Sequence, residues 1–280
     1  MIIQNKYQFK PELPFAPGGE VAGKIIGMGD QVQGFQVGQS VLALCGWGGF
    51  AEKVAVDADR VFPLPHGLSA EVAATTLYTY GTSYHALKDR ANLQPCETLL
   101  VLGAAGGVGL AAVELGKLMG AKVIAAASSA EKLALCREKG AELTINYETE
   151  DLKTRIKELT EGKGVDVVYD PVGGKFTESA LRGMAWKGRY LIVGFANGEI
   201  PQIPMNLPLL KGCSIMGVFW GQFSKIEAKT SFQNIRQLVA WIQEGKIKQH
   251  IDRTYTLEEA QEALQAILDR KMLGKGVVVI

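Results

Sequence analysis

The residues whose type and spacing most plainly suggest chemistry are Gly103-Ala104-Ala105-Gly106-Gly107-Val108-Gly109, within "VLGAAGGVGLAAVELGKLMGAKV". Glycines crowded between an apolar run and a helix-forming run leave backbone N–H groups bare. Gly106 has no side chain, so the chain there can approach a diphosphate. Gly109 lets a following helix pack closely on a sheet. The N–H groups around Ala105, Gly107 and Val108, with the helix dipole, favour an anion. Ala104 replaces the first glycine of the strict pattern. A glycine-rich turn with no ligand is the bland alternative; the full strand–turn–helix–strand context favours the ligand.

The next apolar run ends "AAASSAEK" and carries no carboxylate at its tip. An Asp or Glu there would accept from a ribose 2′-OH; here Ser128 and Ser129 can donate to a 2′-phosphate and Lys132 can pair with it. This argues for NADP over NAD. A capping box of Ser128 with Glu131 also fits, and both readings can hold at once.

These residues need a scaffold. "TLLVLGA", "AKVIAAAS", "AELTINY", "VDVVYDPV", "RYLIVGF" and "CSIMGVF" read as strands. "GVGLAAVELGKLMG", "SAEKLALCREKG", "LKTRIKELTEG" and "TESALRGMAWKG" read as the helices between them. Apolar strands alternating with such helices call for an α/β fold with a doubly wound parallel sheet. Upstream, "VAGKIIGMGD", "SVLALCG" and "FAEKVAVDADRVFPLP" give strand and turn signals, and "SAEVAATTLYTYGTSYHALKD" reads as one helix capped by Ser69. The tail offers an amphipathic helix, "SFQNIRQLVAWIQEGKI", a helix opened by a Thr256/Glu259 capping box, and a closing strand, "GKGVVVI".

Of the 280 residues, 47% are hydrophobic and 21% charged, and the formal net charge is +1. Nothing marks nucleic acid as the main partner, and no apolar run approaches the ~20 residues of a membrane span. The opening residues lack a signal-peptide pattern, and Cys45, Cys96, Cys136 and Cys213 form no CxxC pair. A reducing, cytoplasmic setting follows.

The chain resembles the zinc-independent medium-chain dehydrogenases/reductases of the quinone oxidoreductase, or zeta-crystallin-like, type. "AAGGVGLAAVELGKLMGAKVIA" matches the family's cofactor turn, and "YGTSYHAL", "GVDVVYDPVGG" and "GRYLIVGFANG" fall in its order and spacing. The resemblance implies a GroES-like, mainly β catalytic domain at 1–88, an NADP-binding Rossmann domain at 89–225, and a return to the catalytic domain at 226–280. It also implies that the chain is N-terminally shortened: the family's upstream strands and their Asn-x-x-Asp stretch have no counterpart before "MIIQNKYQF", which leaves the catalytic domain incomplete.

Zinc-dependent relatives carry "GHE" where this chain has Gly18-Gly19-Glu20, and glycine offers no ligand. His66, His85 and His250 make no ligand pattern. Without a Lewis acid, the chemistry left is hydride delivery to an already electrophilic acceptor. The expectation is an NADPH-dependent oxidoreductase acting on a quinone or α,β-unsaturated carbonyl. Two alternatives stay open: an NADPH-binding but poorly active structural or sensor protein of the crystallin type, and an enoyl- or acryloyl-CoA-type reductase.

By the same resemblance Thr82 lies near the nicotinamide and Tyr7 overlooks the acceptor pocket. Lys132 and Tyr147 surround the 2′-phosphate. Phe195 and Phe219 end strands facing the ligand crevice, and Lys275 reaches the adenosine phosphate. Each has a bland counterpart: a threonine bonding to its own turn, a terminal tyrosine, core aromatics, a solvated lysine. Relatives pair through the strand matching "CSIMGVF", so a homodimer is expected.

Overall fold

The computed structural model describes residues 2–4 and 10–280. They form two compact units. One is continuous, Thr79–Lys248; the other is built from both ends of the chain, Met1–Tyr78 and Gln249–Ile280. The borders expected from the sequence, at 88/89 and 225/226, differ from the limits of these units, and residues 79–88 and 226–248 fall in the continuous one.

In the two-ended unit, β1 (Glu20–Lys24), β2 (Ser40–Leu44) and β3 (Val61–Pro63) form an antiparallel sheet in that order. Val41, Leu42 and Ala43 of β2 are buried. Ser69 caps α1 (Ala70–Ala73), its Oγ accepting from the Val72 N–H at 3.3 Å. The single helix expected over Ser69–Asp89 is instead broken after Ala73. The Thr75 and Thr76 hydroxyls both donate to the Val72 carbonyl, at 2.8 and 2.9 Å, which competes with helix continuation. The helix resumes as α2 (Leu77–Tyr84) and ends in a π-helical segment, His85–Arg90.

The continuous unit alternates strand and helix: β4 (Thr98–Leu102), α3 (Gly107–Leu118), β5 (Lys122–Ala127), α4 (Ala130–Glu138), β6 (Leu143–Asn146), α5 (Leu152–Leu159), β7 (Val165–Asp170), α6 (Phe176–Arg182), β8 (Met184–Ile192), α7 (Asn206–Lys211), β9 (Ser214–Gly217), α8 (Trp220–Ile226) and α9 (Ala228–Gln243). The six strands pair in parallel in the order β6-β5-β4-β7-β8-β9. Leu99 to Leu102 are all fully buried, as a central strand covered on both faces requires. The run "TESALRGMAWKG" is not all helix. Gly183 stops α6, and Met184–Gly188 open β8 instead. Gly183 also permits close packing: a Cβ there would lie 2.7 Å from Ile156 Cδ1 of α5.

Helix α2 is anchored at two further points within this unit. An added Cβ on Gly81 would meet the buried Trp220 ring at 2.8 Å. Replacing a helical glycine by alanine ordinarily gains about 1 kcal/mol. Overpacking a rigid buried indole costs about 1–3 kcal/mol. Gly81→Ala is therefore expected to lower the melting temperature; an unchanged or raised value would show that the ring yields freely.

The second anchor is Glu114 on α3, which accepts from the Tyr80 hydroxyl at 2.7 Å and from the Lys248 N–H at 2.8 Å. Burial holds its carboxyl above the usual carboxylate range. The folded chain thus binds this proton more tightly than the unfolded chain, whose glutamates titrate near about 4.3. The contribution is full below that value and is lost as pH rises through the folded value. Urea midpoints measured from pH 4 to 8 should show wild type losing stability relative to Glu114→Gln as pH rises; parallel curves would refute this.

The chain closes with β10 (Ile251–Thr256), α10 (Ala260–Leu268) and β11 (Lys275–Val279), with β10 and β11 parallel. The Thr256 N–H donates to Glu259 Oε2 at 2.9 Å, and the Glu259 N–H donates back to Thr256 Oγ1 at 3.4 Å, the reciprocal bonds of a capping box.

Candidate functional site

In a parallel sheet all carboxyl ends lie on one side, and here the strand order reverses between β4 and β7, the place where such sheets hold ligands. The turn after β4 is built for close approach. Gly103 adopts φ +57°, and the Gly106 N–H donates to the Gly103 carbonyl at 3.0 Å, so the chain folds back sharply before α3. Gly106 is the N-cap of α3 and has no side chain to cap it. Its Cβ would find only the Gly103 oxygen, at 3.5 Å, so the space above it is open. Gly109 is the opposite case: a Cβ would stand 2.3 Å from the Gly103 oxygen and 2.9 Å from Ala104 Cα. Ala105 is buried beneath the turn, while Gly107 and Val108 begin the helix and present first-turn N–H groups. A cradle of bare amides at a helix start suits a diphosphate.

At the tip of β5, Lys132 Nζ donates to Ser128 Oγ at 3.0 Å. This sets a cation and a hydroxyl side by side where no carboxylate stands. The helix cap is Ser129, not Ser128: Ser129 Oγ accepts from the Lys132 N–H at 3.3 Å, which places Glu131 one position too early for a capping box. Ser128 is thereby left facing the strand tip. Tyr147, just after β6, packs tilted on Phe176 with ring centroids 4.4 Å apart, and its N–H donates to the Ala127 carbonyl at 3.2 Å. Phe195, after β8, lines an apolar cavity of about 180 Å³ with Tyr190, Ile192, Ile203 and Ile215. Phe219, after β9, is 46% exposed and precedes α8.

The continuous unit thus gathers Ala105, Gly106, Gly107, Val108, Ser128, Lys132, Tyr147, Phe195 and Phe219 at the carboxyl ends of one sheet. Thr82 sits half-buried on α2 of the same unit. Lys275 belongs to the other unit, where its Nζ meets Glu20 Oε1 at 3.1 Å. Tyr7 lies outside the described residues.

Sequence reasoning passed over Asp170, the last residue of β7. Its carboxylate is 3% exposed and accepts four hydrogen bonds. The Val172 and Gly173 N–H groups donate to Oδ1 at 2.8 and 2.9 Å; the Thr177 and Tyr190 hydroxyls donate to Oδ2 at 3.2 and 2.6 Å. Asp170 therefore shapes the 171–174 loop beside the reversal point. The signal was present as Asp-Pro-Val-Gly-Gly at a strand end, an Asx-turn pattern.

Residues 107–244 match a family model described as zinc-binding dehydrogenase, and residues 1–66 match one described as alcohol dehydrogenase GroES-like domain. A quinone oxidoreductase-like protein 2 homologue from Nematostella vectensis is 43% identical over 98% of this chain and 76% of its own length. The chain belongs to the quinone oxidoreductase family of medium-chain dehydrogenases/reductases. The Bos taurus member named quinone oxidoreductase-like protein 2 is 39% identical over 98% of this chain and 79% of that one. Among solved structures, the Escherichia coli quinone oxidoreductase complexed with NADPH superposes with a TM-score of 0.91 at 29% identity, covering 98% of this chain and 85% of that one.

A zinc ion would need side-chain ligands, and the segment Gly18–Glu20 bears on whether they are present. Gly19 has no side chain, and a Cβ there would lie 2.9 Å from Tyr78 Cε2 and 3.0 Å from the Gly46 oxygen. The Glu20 carboxylate already accepts from the Tyr78 N–H at 3.0 Å and from Lys275. Among the described residues, no group of three or more His, Cys, Asp or Glu is placed to hold a metal. Among the described residues, those at Gly18–Glu20 thus offer one carboxylate, already engaged, and no imidazole. Among the described residues no helix is long and apolar enough to cross a membrane.

Proposed function

We propose that this protein is an NADPH-dependent oxidoreductase that delivers hydride to a quinone without zinc. The observation that carries the reading is the open backbone above Gly106 at the start of α3, paired with a carboxylate-free β5 tip where Lys132 and Ser128 meet. NADPH bound there supplies a hydride from its nicotinamide ring. The first-turn N–H groups from Gly107 onward hold the diphosphate, and Lys132, Ser128 and Tyr147 surround the 2′-phosphate. Phe195, Phe219 and Thr82 shape the nicotinamide end and limit water. With no Lewis acid to polarise a carbonyl, the acceptor must be electrophilic by itself, which fits quinones and enones. A homodimer is part of this reading.

The direct test mixes the protein with NADPH and 9,10-phenanthrenequinone and follows the nicotinamide absorbance band. Rapid oxidation supports the reading; tight binding with no turnover supports the crystallin-type alternative, and turnover confined to enoyl thioesters supports the reductase one. Lys132→Ala should raise the KM for NADPH about tenfold or more while leaving that for NADH within about twofold, since one charge-assisted bond contributes about 1.5–3 kcal/mol. Equal loss with both coenzymes would remove Lys132 from phosphate recognition.

A further inference from the structure

Ser83 and Tyr169 are fully buried hydroxyls that no step above uses. Ser83, on α2, donates from Oγ to the Val108 carbonyl at 2.8 Å, and its Oγ lies 2.8 Å from the Tyr169 hydroxyl of β7. A serine hydroxyl has one proton, and a carbonyl can only accept. Ser83 therefore commits its proton to Val108, and Tyr169 must donate to Ser83. The result is a directed chain: Tyr169 O–H to Ser83 Oγ–H to Val108 C=O.

The Val108 carbonyl shares one peptide plane with the Gly109 N–H. In a helix the carbonyl points toward the C-terminus and the N–H toward the N-terminus, so this N–H faces the mouth of α3. A hydrogen bond to the carbonyl fixes that plane and, through cooperative polarisation, strengthens the N–H as a donor. Gly109 sits where the backbone is tightly packed: a Cβ there would stand 2.3 Å from the Gly103 oxygen. As a pair the two hydroxyls add little to stability, since replacing both partners of a buried hydrogen bond by apolar groups of similar shape is close to neutral. What they add is direction.

We infer that Ser83, oriented by Tyr169, is a positioning residue for diphosphate recognition: it locks the Val108–Gly109 peptide so that its N–H is aimed at the ligand. This rests on the dinucleotide reading given above.

The test is calorimetric titration of the full chain with NADPH and, separately, with 2′-AMP, which carries the 2′-phosphate but no diphosphate. Wild type should bind both. Ser83→Ala is expected to weaken NADPH about fivefold to tenfold, the weight of one neutral hydrogen bond, and to change 2′-AMP affinity less than twofold. It should also lower the urea midpoint, because it leaves the Tyr169 hydroxyl buried without a partner. The double variant Ser83→Ala/Tyr169→Phe removes that orphan: its urea midpoint should return to near the wild-type value while its NADPH affinity stays weak. Recovery of NADPH affinity along with stability, equal losses for NADPH and 2′-AMP, or wild-type NADPH affinity in both variants would each overturn the inference. Absence of NADPH binding by wild type would instead overturn the dinucleotide reading and take this inference with it.

Discussion

Gly106→Ala should leave the fold intact and remove most of the affinity for NADPH, whereas Gly109→Ala should damage both. The two glycines lie three residues apart in one turn, yet their surroundings differ. At Gly106 a methyl group meets nothing closer than the Gly103 oxygen at 3.5 Å, an ordinary contact, so the protein tolerates it. That methyl would, however, occupy the space a diphosphate needs, and a ligand held by backbone amides cannot step aside without losing them. We expect a loss of at least a hundredfold in NADPH affinity with a urea midpoint within experimental error of wild type. At Gly109 the methyl would stand 2.3 Å from a backbone oxygen and 2.9 Å from a backbone Cα. Neither neighbour is the end of a flexible side chain, so the turn or the helix start must move, at a cost of about 1–3 kcal/mol or more. Calorimetry and denaturation on the two variants check the contrast. Tight NADPH binding by Gly106→Ala would show that the diphosphate is held elsewhere.

The second large effect is expected at Asp170. Replacing it by alanine orphans the Tyr190 hydroxyl and the Val172 and Gly173 amides in a site where the carboxylate was 3% exposed. Each unsatisfied group costs about 1–3 kcal/mol, and the sum is not additive. A loss of about 4 kcal/mol is expected, in the range that marks collapse of a buried network. Asp170→Asn keeps the shape and one acceptor oxygen, and Tyr190 and Thr177 can rotate to accept from its amide, so about 1–2 kcal/mol is expected there. Amide hydrogen exchange at Val172 and Gly173 gives a local readout: faster in the alanine variant, near wild type in the asparagine variant. Equal effects of the two substitutions would mean that charge, not acceptor geometry, holds the loop.

These residues also show how far the sequence could be read. The six strands of the parallel sheet and the glycine-rich turn were legible because burial on both faces writes continuous apolar runs, and because close backbone approach admits only glycine. Breaks and borders were less visible. The interruption after Ala73 depends on two threonine hydroxyls choosing one carbonyl, and the end of α6 at Gly183, five residues before Gly188, falls where a Cβ would meet Ile156 of α5. The switch of cap from Ser128 to Ser129 turns on which hydroxyl meets the Lys132 N–H. Ser83 was missed for a related reason: its partners Val108 and Tyr169 lie 25 and 86 residues along the chain, and its role is set by the sheet that folds between them. Asp170 was passed over although its Asx-turn partners, Val172 and Gly173, lie within three residues; what the sequence hides is the Tyr190 hydroxyl that joins them from β8.

The ion pair between Glu20 and Lys275 joins positions 255 residues apart, and the unit containing it is assembled from segments on either side of Thr79–Lys248. On the ribosome, where segments emerge one after another at about 5–20 residues per second, everything from Thr79 to Lys248 is available to condense before Lys275 has been made. The earlier part of the two-ended unit must wait through that interval with Gln249–Ile280, and the Lys275 partner of Glu20, unsynthesised. Nascent chains stalled at increasing lengths should therefore acquire protease resistance in the middle of the sequence first, and at its beginning only after its last residues clear the exit tunnel.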